Sequence, residues 1–230
     1  VSSAASDVYK RQGLNFVTLE TLYTGTPIYQ RFVWDNYSAE IQTTGGSAQN
    51  LEKDYQRILE FQTPETFDYM KRLQSGMYGS EIIYYDLLTH QYVHKGYYPA
   101  WEEDKHLNKY PLFSKNVQSR PKAVLIHDHK YYNNFDGFDD VTNAAFVQQR
   151  KSLIAQAEAY KITIQVHGRS DYSVGQRVFI EVPKSTQLTS DDPEYLDKIT
   201  SGVYLVAALC HFVTRESHEC TIELIKDSFM

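Results

Sequence analysis

His127, Asp128 and His129 read HDH inside the stretch VLIHDHKYY. On an extended strand, residues two apart share a face, so His127 and His129 would turn two imidazoles to one side, the beginning of a metal site. Spacing fixes no third ligand, and no metal is assigned to them. Asp136, Asp139 and Asp140, in FDGFDD, have the carboxylate density of a calcium loop but not its twelve-residue order closed by glutamate, and read as a solvated loop. Glu102 with Glu103, and Asp191 with Asp192 ahead of Pro193, are charge runs in loops. Neither supplies the carboxylates on facing elements that glycoside hydrolysis needs. Cys210 and His211 are neighbours on a strand pattern, so their side chains point to opposite faces and cannot pair as nucleophile and base. Nucleophile-elbow, zinc-protease, phosphate-loop and dinucleotide signatures are absent. The expectation is no enzyme: catalytic residues none, cofactor-binding residues none, metal ligands none, cofactors none.

The two cysteines, Cys210 and Cys220, provide no disulfide framework. If the strands around them pair through a turn at residues 215 to 217, the thiols could face each other across the ladder within bridging reach. The other expectation is two reduced cysteines used as small apolar residues, which suits a chain of 230 residues with so few.

Composition narrows the class further. The 19 tyrosines and 11 phenylalanines suit strands and half-wet interfaces, which tilts the chain toward β-rich structure and assembly contacts. A net charge of -6 with scattered Lys and Arg lacks the basic stripe of a general nucleic-acid binder. No run of eighteen apolar residues is present to span a membrane.

Residues 14 to 23, LNFVTLETLY, and 28 to 37, IYQRFVWDNY, have strand-like content around the turn TGTP. The break TTGGS precedes residues 51 to 61, LEKDYQRILEF, whose spacing fits helix or strand. From Thr63, TPETFDYMKRLQSG reads as a short amphipathic helix, with Thr63 as cap, Pro64 at the first position and Gly76 at the stop. Residues 77 to 87 and 91 to 98 alternate as a hairpin around LLTH. From residue 99 to 140 periodicity fails apart from a possible strand at 123 to 132, which reads as an insertion or partner-binding arm.

Order returns with a helix over 143 to 159, its apolar stripe made of Phe146, Leu153 and Ala157 with Val147 or Ile154 beside it. Strands follow at 160 to 166, 176 to 182, 202 to 214 and 218 to 226. Gly168 and Gly175 flank the first turn, and Gly202 permits a sharp turn into the longest strand. Four strands led by a helix make a small antiparallel β-barrel or closed sheet. The expected fold is α+β and β-rich: a small antiparallel barrel module with short helices, plus a mixed insertion domain. The domain reading is 13–62 as the remnant of a preceding β domain, 63–98 with 142–230 as the barrel module, and 99–141 as the irregular insertion.

Residues 1 to 12, VSSAASDVYKRQ, fit none of this. Back-translated from Ser2, they resemble a transposase-type sequencing adapter codon for codon. They are read as an artefact, disordered or loosely extended, and the native chain is expected to be N-terminally truncated here.

The C-terminal third carries a distinctive ordered pair, SGVYLVAALCH at residues 201 to 211 and ELIKDS at 223 to 228. With ITIQVHGRSDYSVGQRVFIEVP before it and LQSGMYGSEIIYYDLLTHQY further upstream, this pattern resembles the central hub proteins of T-even-type bacteriophage tail baseplates, which are related to the hub half of type VI secretion spike proteins. The resemblance covers most of residues 14 to 229 and is poorest from 99 to 140. It implies a structural homotrimer in the virion tail baseplate, assembled in the host cytoplasm, with two barrel modules per chain forming a pseudo-sixfold ring. The implied partners are a tail spike or lysozyme-type protein below, tail tube or tube-initiator proteins above, and the tape-measure protein in the lumen, with DNA passing only transiently and no membrane contact. The Tyr-rich stretch 96 to 140 is then expected to be a peripheral or spike-facing contact. Competing expectations are a type VI-like hub without its fused needle, a carbohydrate-binding module using Trp34 and Trp101, and a peptidoglycan-degrading module.

Overall fold

In the computed structural model the described residues are 18–25, 27–34, 55–63, 70, 78–86, 90–99, 105–111, 124–128, 140–184 and 195–230. In chain order their elements are α1 (Leu19–Gly25), β1 (Ile28–Val33), β2 (Ile58–Gln62), β3 (Ser80–Asp86), β4 (Gln91–Tyr97), β5 (Tyr110–Pro111), β6 (Val124–Asp128), α2 (Asp140–Ala157), β7 (Tyr160–His167), β8 (Arg177–Glu181), β9 (Gly202–Val213), β10 (His218–Lys226) and β11 (Ser228–Phe229).

The four C-terminal strands form where alternation predicts them. Along β7, Ile162, Ile164 and Val166 are buried while their neighbours are not, and Cys220, Ile222 and Leu224 repeat the pattern on β10. These faces, with Phe32, Ile58, Val178, Ile180, Tyr204 and Val206, make the main core. Ile222 is 1% exposed at its centre. Replacing it with alanine is expected to cost about 3 kcal/mol of unfolding free energy, read from the urea midpoint at unchanged slope.

The sheet departs from the expected four-stranded antiparallel barrel. It has six strands in the order β1-β8-β9-β10-β7-β2, and β1 joins β8 in parallel. It curls as a half-barrel, and its edge strands meet at one bridge, Val33 with Arg57, where the Val33 amide donates to the Gln56 carbonyl at 2.9 Å. No ladder joins β1 to β2 among the described residues.

Three further expectations change. Residues 14 to 23 were expected as a strand, but from Leu19 the chain is helical: Leu19, Leu22 and Tyr23 fall at helical spacing onto one face, and the Thr18 hydroxyl accepts from the Thr21 amide at 3.3 Å as a cap. The stretch 51 to 61, open between helix and strand, supplies β2, which pairs with β7. Residues 99 to 141, expected to be irregular apart from a possible strand at 123 to 132, carry that strand as β6 and also the short β5; β5 pairs with β11 at the C-terminal end, and β6 runs parallel to β3 in a separate sheet of order β4-β3-β6. The helix expected over 63 to 76 falls outside the described residues apart from Thr63 and Met70.

Helix α2 forms as expected and buries Ala157 of the expected stripe, with Leu153 half-buried, but most of its buried described positions are polar. Its covered face is Gln148, Ser152 and Gln156, four residues apart, while Val147 and Ile154 are exposed. The amides find partners inside: Gln148 donates to the Ser80 carbonyl at 3.2 Å, and Gln156 to the Ser152 hydroxyl at 3.1 Å. At its C-terminal end the helix joins a second, smaller cluster of Tyr23, Leu107, Ala157 and Leu205 on the other face of the sheet. No helix among the described residues is long and apolar enough to cross a membrane.

Candidate functional site

Residues two apart on β10 share the inner face of the half-barrel, so His218 and Cys220 stand at one end of it and Lys226 at the other. Polar chemistry therefore gathers at both ends of an apolar interior.

At the Lys226 end, the chain leaves β10 through Asp227 and Ser228, and all three residues have no exposed surface. The Lys226 ammonium donates to the carbonyls of Ile199, Thr200 at 3.4 Å and Ser201 at 3.3 Å. It also lies 4.6 Å from the Tyr160 ring centre, 4.7 Å from that of Tyr204 and 5.3 Å from that of Phe229. Burial pushes its pKa down from 10.5 to about 7. Asp227 accepts from His106 Nδ1 at 2.7 Å, the Leu107 amide at 3.2 Å and the Ser228 hydroxyl at 2.7 Å. Asn108 completes the stitch: its side chain accepts from the Val203 amide at 2.8 Å and donates to the Val203 and Ser228 carbonyls. Gly202, at φ 131°, leaves room for it, since a Cβ there would lie 2.7 Å from Asn108 Oδ1. Every one of these groups is spent on the chain itself, an arrangement that fixes structure and presents nothing to a substrate.

At the other end the β9–β10 hairpin brings three ligating side chains together. The ladder sets Cys220 opposite His211 and His218 opposite Val213. Cys220 Sγ lies 2.9 Å from His211 Nδ1 and 3.9 Å from His218 Nε2, and the two imidazole nitrogens are 3.1 Å apart. Cys220 is buried, His218 half-buried and His211 exposed, so the trio runs from the core to solvent. Burial pushes the Cys220 thiol up, and the Arg169 backbone acts in the opposite direction.

These ends belong to a chain whose overall likeness can now be stated. Two solved tail proteins are similar to it. With the tail protein from Neisseria meningitidis MC58 it shares 16% identity at a TM-score of 0.44, over 88% of this chain and 45% of that one. With the 43 kDa tail protein of prophage MuSo2 from Shewanella oneidensis it shares 10% identity at a TM-score of 0.40, over 74% of this chain and 42% of the other. The chain thus spans less than half the length of either. No family model matches it, and no curated protein does.

The residues singled out from sequence fall elsewhere or apart. His127 and Asp128 lie on β6 at the register positions of Tyr84 and Tyr85 of β3, and Asp140 opens α2. His129, Asp136, Asp139, Asp191, Asp192, Glu102, Glu103 and Trp101 lie outside the described residues, as do residues 1 to 12. Cys210 and Cys220 are both free: Cys210 is opposite Thr221 and exposed, Cys220 opposite His211 and buried, so the thiols occupy opposite faces and cannot bridge. The separation of Cys210 from His211 holds, but His211 finds a different cysteine across the ladder. The signal was present as H-x-C on one strand and a histidine on the next, and it becomes legible once the hairpin register is known.

Proposed function

We propose that the chain is a structural subunit of a bacteriophage tail, and within it the central baseplate hub that joins a sixfold tube to a threefold spike. The observation that carries this reading is the use made of the two distinctive segments. Ser201, Lys226, Asp227 and Ser228 are all completely buried, and each is bonded to its own chain. Residues distinctive of a family and buried in this way hold a fold together; in an enzyme the distinctive residues face a cleft. A subunit that transmits force during tail contraction gains from such a stitch between the final strand and a segment about 120 positions upstream.

On this reading the chain has no catalytic role, acts as a homotrimer in the virion, and takes spike, tube and tape-measure proteins as partners, with DNA passing through the lumen. Mass photometry of the reconstructed full-length protein, alone and with its tube and spike proteins, tests it. Trimers that capture both partners are the expected result, and a protein that stays monomeric with both present would sink the reading. A type VI-like hub would use the same module, and a genomic neighbourhood of secretion rather than tail genes would select it. The carbohydrate-binding alternative is disfavoured at Trp34, whose ring packs 5.8 Å from Phe61 beside the main core instead of standing as a platform.

A further inference from the structure

We infer that His211, His218 and Cys220 form a binding site for a zinc-class divalent ion at the tip of the β9–β10 hairpin. One thiolate and two imidazoles are a donor set that suits Zn²⁺ and disfavours Mg²⁺ or Ca²⁺, which take oxygen. The geometry fits as well. Around a tetrahedral zinc with ordinary bond lengths, two nitrogens stand about 3.3 Å apart and sulfur about 3.5 Å from each nitrogen. The three ligand atoms here are separated by 3.1, 2.9 and 3.9 Å, which is one face of such a tetrahedron to within about 0.6 Å.

One feature outside the trio supports it. Gly168 lies against His218 so closely that a Cβ at that position would sit 2.3 Å from the imidazole carbons, and its amide donates to the His218 carbonyl at 2.7 Å. The missing side chain is thus the space the ring occupies, and the backbone bond fixes the strand that carries it.

Binding forms three bonds. Cys220 releases its proton to solvent as sulfur joins the ion, while the neutral imidazoles offer lone pairs from His211 Nδ1 and His218 Nε2. The fourth position lies on the exposed His211 side and takes water. The consequence is a staple where the core no longer reaches: from Cys210 to Ser217 every residue is exposed, and the ion ties β9 to β10 at the border of that stretch. This inference stands independently of the tail reading.

Titration of the untagged, chelator-stripped full chain with Zn²⁺ and, separately, with Co²⁺ tests it. One ion per chain, a Zn²⁺-dependent rise in Tm, and a Co²⁺ spectrum with a thiolate charge-transfer band and tetrahedral visible bands are expected. His211→Ala, at an exposed position that the fold tolerates, should weaken affinity by about 100-fold, whereas Cys210→Ser should leave both affinity and the thiolate band in place. Absence of stoichiometric binding, an octahedral Co²⁺ spectrum, affinity unchanged in His211→Ala, or loss of the band in Cys210→Ser would each overturn the site.

Discussion

Lys226→Met is expected to lower the unfolding free energy by about 3 kcal/mol, because the substitution keeps the buried volume but removes the donor shared by three main-chain carbonyls and the cation that faces three aromatic rings. Chemical denaturation near neutral pH measures the loss. The same residue gives the wild type a pH dependence whose sign follows from its depressed pKa. Below about 7 the side chain is protonated in both states and the cost of burying the charge is present in full; between about 7 and 10.5 the unfolded chain binds a proton that the folded chain does not. Stability therefore gains a contribution that grows as pH rises from about 7 toward 10.5. In Lys226→Met that contribution is absent, so the difference between the two proteins should widen with pH. A difference that narrows as pH rises would contradict the depressed pKa.

Asp227→Ala should be at least as damaging, at about 3 to 4 kcal/mol, and should fail in a different place. The carboxylate is the common acceptor for His106, the Leu107 amide and the Ser228 hydroxyl, and its loss takes the acceptor from a buried amide and breaks two further bonds. The segment 105–111 then keeps only the Asn108 bonds and the β5–β11 pairing, and Lys109, already exposed, becomes a site of tryptic cleavage well before global unfolding. Limited proteolysis at low temperature, followed by mass mapping, reads this directly. Cleavage after Lys109 no faster than in the wild type would show that the stitch does not hold the segment.

Much of the sheet was legible because β7, β8 and β10 carry period-two burial, which alternation in sequence reports without tertiary information. Helix α1 was not, because a seven-residue helix offers barely two turns of spacing and the aromatic and β-branched content of LNFVTLETLY outweighs it. The buried stripe of α2 was hidden for a different reason. Gln148 and Gln156 bury by hydrogen bonding, and hydropathy reads them as a solvated face.

The two polar ends of β10 show the same limit. Lys226, Asp227 and Ser228 stood out as a distinctive segment, yet nothing in spacing could show that HLN at 106 to 108, inside the poorest-matching stretch, docks on them. At the hairpin, a turn placed half a residue differently pairs Cys210 with Cys220, while the actual ladder pairs His211 with Cys220. That slip exchanges the inward and outward faces of a whole strand, and with them a disulfide for a cluster of one thiol and two imidazoles.

The position of β1 and β2 at the two edges of the sheet also sets the order in which the chain can fold. The β9–β10 hairpin closes over the four residues between Val213 and His218 and needs nothing else, whereas β1 waits for β8, about 150 positions later. On a ribosome adding 5 to 20 residues per second, that wait lasts roughly 8 to 30 s, during which β1 has open main-chain groups and, beyond the Val33–Arg57 bridge, no ladder partner. β1 and β2 are thus made long before their ladder partners β8 and β7, and the time they spend unpaired is fixed by translation rather than by the speed of folding.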